Sequence, residues 1–133
     1  MDVNAENNSL DEAEVKVLEQ NEELKSLLTS VKSTYKTIKL GTKDIRIKAY
    51  MPKKVRLDII KATKELGNVE DAEDVDKTER KFYPLVAAMC IDAPYSDEKT
   101  WQFIDERESC IQDVTMKIIA EVNTTDVKIK SFR

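Results

Sequence analysis

Residues 36–50 read KTIKLGTKDIRIKAY, and this stretch decides the fold class. Ile38 and Leu40 alternate with Lys39, and Ile45, Ile47 and Ala49 alternate with Arg46 and Lys48. A period of two puts the apolar set on one face of a strand and the cations on the other. Gly41-Thr42-Lys43-Asp44 between the two runs supplies turn chemistry, because glycine enters the positive-φ region at no steric cost. The stretch therefore reads as a β-hairpin with one apolar and one strongly basic face. A lone two-stranded hairpin is marginal in water, so helices from the rest of the chain must cover the apolar face. Its outer edges are open to pairing with another chain, unless the lysines serve only to blunt them.

Downstream, the apolar period lengthens to that of helices. Pro52 stands where a helix starts. Val55, Ile59, Ala62 and Leu66 follow on one face with Ile60 beside them, and Gly67 is placed as the C-terminal cap. Residues 68–76 are acidic and poor in apolar side chains, which reads as a solvated loop. Acidic oxygens suit Ca²⁺ or Mg²⁺, but the loop lacks the glycine and the ligand spacing of an EF-hand, so no metal is expected there. Asp76 and Glu79 open an apolar helix through Phe82, Leu85, Val86, Met89 and Cys90. Pro84 either bends it or marks its true first turn. Asp92-Ala93-Pro94-Tyr95 ends it, and Ser96 or Asp97 caps a further stretch. That stretch carries Trp101, Ile104, Ile111, Val114, Ile118 and Val122 at three- and four-residue intervals, with the polar run 105–109 as a candidate break. Residues 126–133 are a tail, either a short strand or a loose end.

Upstream of the hairpin, residues 1–8 are polar and read as disordered. Ser9 followed by Glu12 is a capping-box pattern that opens an amphipathic, coiled-coil-like helix over 9–35. Leu10, Val17, Leu24 and Val31 share one heptad position; Leu28 and Tyr35 share the other, where Glu14 and Asn21 interrupt. Asn at a seam position fixes register in a parallel dimer at some cost in stability. The candidate oligomer interface is thus Leu10, Val17, Asn21, Leu24, Leu28, Val31 and Tyr35. Packing of the same face on its own domain is the competing reading. The fold class expected is α+β and predominantly helical: an N-terminal amphipathic helix, one hairpin, and three to four packed helices, with the compact domain over 36–125.

The net charge of −4 on 133 residues hides an uneven distribution. Eight carboxylates in residues 2–24 face Lys16 alone, whereas eight bases in residues 36–56 face Asp44 alone. Both runs can be plain solvated faces, or the acidic arm can meet the basic hairpin within a molecule or between molecules. Lys39, Lys43, Arg46 and Lys48 are the candidate partner-binding residues of the basic hairpin. A basic patch can also mean nucleic acid, but the chain as a whole is acidic and stacking aromatics are scarce.

Catalytic chemistry has little to stand on. Histidine is absent, which removes the commonest general base and metal ligand. Two glycines, at 41 and 67, cannot make a phosphate-binding loop. Carboxylates are plentiful, but no pair stands out. Cys90 and Cys110 lack companions at zinc spacing and read as buried free thiols, suited to a reducing compartment. No apolar run nears the ~20 residues that span a bilayer, and the acidic N-terminus is no signal peptide. The sequence reading is a cytoplasmic protein that uses no metal or cofactor and is not an enzyme.

The order of lysine-rich hairpin, proline-started helix, acidic loop, apolar helix, DAPYSDEKTWQFID and final amphipathic helix resembles the tail assembly chaperones of tailed bacteriophages and prophages. The matching positions are Ile38, Leu40, Gly41, Ile45 and Ile47, then Asp97, Trp101 and Ile104, and the likeness covers residues 36–123. The long acidic N-terminal helix departs from the family pattern. The resemblance implies a non-catalytic, oligomeric chaperone that coats the helical tape-measure protein, recruits tail-tube subunits around it, and leaves the finished tail. The runner-up is a virion structural or scaffolding subunit, or a small adaptor, that self-associates through its N-terminal helix.

Overall fold

The computed structural model describes residues 21–130, and the chain divides into two units after Ser33. In the first unit, helix α1 spans Glu22–Lys32. Asn21, in extended backbone, caps it by accepting from the Leu24 amide at 3.0 Å. Glu22 and Glu23 in the first turn and Lys32 in the last complement the helix dipole. None of its residues is buried, and Leu27 and Leu28 are exposed. Two expectations are corrected here. Asn21 is the N-cap of α1 and not an interior position of one continuous helix, and its side chain is committed to an orphan amide of the first turn. Tyr35 belongs to a strand, because the helix stops at Lys32. Leu10 and Val17, with the rest of residues 1–20, lie outside the described residues, as do 131–133.

The second unit is a predominantly helical α+β domain. Strands β1 (Thr34–Leu40), β2 (Lys43–Lys48) and β3 (Lys128–Ile129) form an antiparallel sheet in the order β2-β1-β3. The hairpin register runs from Leu40 opposite Lys43 to Tyr35 opposite Lys48. Its loop is therefore two residues, Gly41-Thr42, and Gly41 has φ 64°, as a type II′ turn requires at its first central position. Lys43 and Asp44 belong to β2 and not to the turn. The tail supplies β3, pairing Thr34 with Ile129 and Tyr35 with Lys128.

Five helices follow the hairpin: α2 (Lys53–Asn68), α3 (Ala72–Glu79), α4 (Phe82–Met89), α5 (Glu98–Glu108) and α6 (Ile111–Val122). Ile38, Ile45 and Ile47 from the sheet join Phe82, Val86, Met89, Trp101, Ile111, Val114 and Ile118 in one core. Gly67 lies inside α2, which runs on to Asn68 and ends at extended Val69, so the expected glycine cap is absent. The acidic stretch expected to be a loop is largely α3. Asp71 caps it by accepting from the Asp74 amide at 2.9 Å, and Glu73 and Asp74 sit where the helix dipole favours negative charge. Pro84 is the third residue of α4, so it marks a first turn, where proline is tolerated, and not a bend.

The junctions are closed by polar groups. Trp101 is fully buried and donates its indole N–H to the Tyr95 carbonyl at 2.7 Å. Ser109, at φ 52°, separates α5 from α6. Across that break Asp105 accepts from the Ile111 amide at 2.8 Å and the Tyr83 hydroxyl at 2.7 Å, capping α6 from the preceding helix. The open sheet edges expected from the sequence are largely occupied. Ile91 donates to the Arg46 carbonyl at 3.1 Å and Cys90 bridges Ile47 along β2, while β3 lies along the start of β1.

Candidate functional site

The register sorts the hairpin's cations. Lys39, Arg46 and Lys48 share the outer face with Tyr35, Thr37 and Asp44, whereas Lys43 falls in phase with Ile45 and Ile47 at the exposed end of the other face. Pairing brings Lys48, Tyr35 and Lys128 into one cross-strand row. Part of this positive charge is answered locally. Lys39 lies 3.7 Å from Asp44. Arg46 holds Asp92 with two hydrogen bonds, at 2.8 and 2.6 Å, and its guanidinium lies 5.2 Å from the centre of the Tyr35 ring. The hydrogen bonds and charge of Arg46 hold the Asp92 carboxyl below its ordinary pKa, and Asp92 raises that of Arg46.

Lys36 does not belong to the basic face at all. It is buried, and its ammonium donates to the carbonyls of Glu121 (2.8 Å), Val122 (3.1 Å) and Thr124 and to the Thr124 hydroxyl (3.0 Å). These carbonyls belong to the last turn of α6 and the residues just after it, where orphan acceptors and the negative end of the dipole favour a cation. Lys36 therefore pins the sheet to the end of α6. Its phase with Ile38 and Leu40 marked it in the sequence as an inward position.

One open groove of the domain lies between α2 and α6. Tyr50, Met51, Arg56, Ile59, Ile60, Ile119, Val122 and Asn123 line a groove of about 400 Å³. Ile59 is buried at its base, but Tyr50 is 54% and Ile60 45% exposed. Leu57, one turn before Ile60, and Met116, one turn before Ile119, are exposed as well. Spacing by three and four places Lys53, Arg56, Leu57, Ile60 and Lys64 on one stripe of α2. All five are exposed. That stripe is apolar at its centre and cationic around it. The sequence reading placed Ile60 beside the core face and passed over Leu57. The available signal was that Ile60 falls one residue, and Leu57 two, outside the Val55-Ile59-Ala62-Leu66 series.

Among the described residues nucleophilic chemistry has no developed centre. Burial pushes the Cys90 thiol up to about 12, and burial with nearby Asp105 raises that of Cys110. Both are protonated at neutral pH and poorly nucleophilic. Cys110 is only half-buried, which corrects the expectation of two fully buried thiols. The Tyr83 phenol is raised as well, first by burial and then by its bond to Asp105. Among the described residues no group of three His, Cys, Asp or Glu side chains converges to hold a metal, and no helix is long and apolar enough to cross a membrane. Among the described residues the surface offers an apolar groove with Arg56 on its lining and a partly neutralised basic sheet face. Comparison with family models, with curated proteins and with solved structures finds no match to this chain.

Proposed function

We propose that this chain acts by binding other protein chains and catalyses no reaction, working as a tail assembly chaperone does on a long helical client. The observation that carries this reading is the groove between α2 and α6, where Tyr50 and Ile60 stand exposed. Exposed apolar side chains gathered in a groove are a feature of recognition surfaces, and a groove between helices suits the apolar stripe of an amphipathic helix. In the chaperone role the client is a tape-measure protein in the host cytoplasm, tail-tube subunits are recruited around the complex, and several copies coat one client. The sheet face is the weaker candidate for nucleic acid, since Lys39 and Arg46 already answer to Asp44 and Asp92. The scaffolding or adaptor alternative draws on Leu27 and Leu28, exposed on α1.

The test is fluorescence anisotropy with a labelled synthetic helical peptide that carries leucines at i, i+3, i+4 and i+7 and glutamates on its flanks. The parent chain should bind it, and Ile60→Asp should weaken binding by about tenfold or more. Equal binding by parent and variant, or none by the parent, overturns the reading.

A further inference from the structure

We infer that the groove between α2 and α6 receives the acidic segment 9–20 of a second copy of this chain, so that copies associate head to tail. This rests on the proposed protein-binding role of the groove and names its first occupant. Ile60 and Arg56 line the groove, and the exposed α2 stripe to which they belong carries Leu57, Lys53 and Lys64 beyond it. An occupant must bring apolar side chains to Ile60 and Leu57 and carboxylates to Lys53, Arg56 and Lys64.

Residues 1–20, outside the described structure, carry six carboxylates against Lys16 alone, with Leu10, Val17 and Leu18 set among them. They therefore supply both halves of the complement. The other strongly acidic stretch is already folded as α3, with Asp71 committed to its cap. Segment and groove are unlike surfaces on the same chain. Contact between unlike surfaces of two copies is heterologous, and it repeats into rings or filaments instead of closing as a two-fold pair.

Two full-length variants test this. Leu10→Asp/Val17→Asp spoils the segment and leaves the groove, and Ile60→Asp spoils the groove and leaves the segment. Ile60 is solvent-exposed, so its replacement should leave the circular dichroism of the parent intact. In sedimentation equilibrium the parent should gain mass with concentration, and each variant alone should remain monomeric. Their equimolar mixture should form a 1:1 dimer and go no further, since one good segment and one good groove remain to meet, and added salt should weaken it. A monomeric parent, variants that associate as the parent does, or a mixture that stays monomeric overturns the inference. So does a segment effect that is independent of concentration, because that places the segment on its own chain. A parent that stays monomeric yet binds the helical peptide through Ile60 overturns self-docking alone. Variants that form the mixed dimer, with a parent that binds no peptide, overturn the client reading alone.

Discussion

Trp101 on α5 and Ile60 on α2 are both apolar, and they meet opposite environments. Around Trp101 every side is filled. The indole is fully buried, its N–H reaches Tyr95, and α4, α5 and α6 meet there with their junctions closed by Asp105 and Ser109. Around Ile60 the packing stops, leaving a groove with Arg56 on its lining. The contrast teaches that apolar surface is sealed between some helices of this small domain and left open between others. A buried apolar group contributes to folding in proportion to the surface it hides. An exposed one leaves that contribution available to a partner.

Substitutions can break this division or sharpen it. The largest effect belongs to the sealed side: Trp101→Ala should cost about 3–5 kcal/mol, read as a lowered urea midpoint with the slope preserved. A near-neutral result would mean that the sealed side does not carry the stability. Next comes Lys36→Met, which keeps the length of the side chain and removes the ammonium from four acceptors. A loss of about 2–3 kcal/mol is expected from the same urea titration, with the groove's affinity for a helical peptide unchanged. If peptide affinity falls as well, the sealed and open sides are coupled through the end of α6.

A smaller effect is tied to pH. The Asp92 carboxyl is held below its ordinary value of 3.8 by Arg46. A depressed folded-state pKa contributes stability that is present above the unfolded value and lost as pH falls through the folded one. Both side chains are 43% exposed, so solvent screens the pair and the contribution is small. Asp92→Asn should narrow the gap between urea midpoints at pH 6 and pH 3, and an unchanged gap would assign the acid limb to other carboxylates. The smallest effect belongs to the open side. Ile60→Asp should leave stability within about 0.5 kcal/mol while removing partner binding. A large loss of stability there would place Ile60 in the core and end the distinction.

Much of this was legible along the chain. The alternation of Ile38, Leu40, Ile45 and Ile47 gave the hairpin and its inner face, and the spacing of Trp101, Ile111, Val114 and Ile118 gave the helices behind it. Local chemistry was read less well where two local rules competed. Acidic composition around Asp71 argued for a loop, but a capping aspartate followed by acids in a first turn favours a helix. Gly67 looked like a cap, yet α2 ran past it. Of the candidate residues, Lys39, Arg46 and Lys48 do share a face, Lys43 does not, and Asn21 and Tyr35 take local roles of their own.

Periodicity along 133 residues thus fixed the α+β class and which side chains turn inward, because hydrophobic phase follows from backbone geometry alone. Which elements would close against each other was decided only in three dimensions. The ammonium of Lys36 found the end of α6 some eighty-five residues away, Arg46 found Asp92, and α2 and α6 were left with a groove between them. Such contacts depend on where whole elements come to rest, and no local pattern of residues encodes that position.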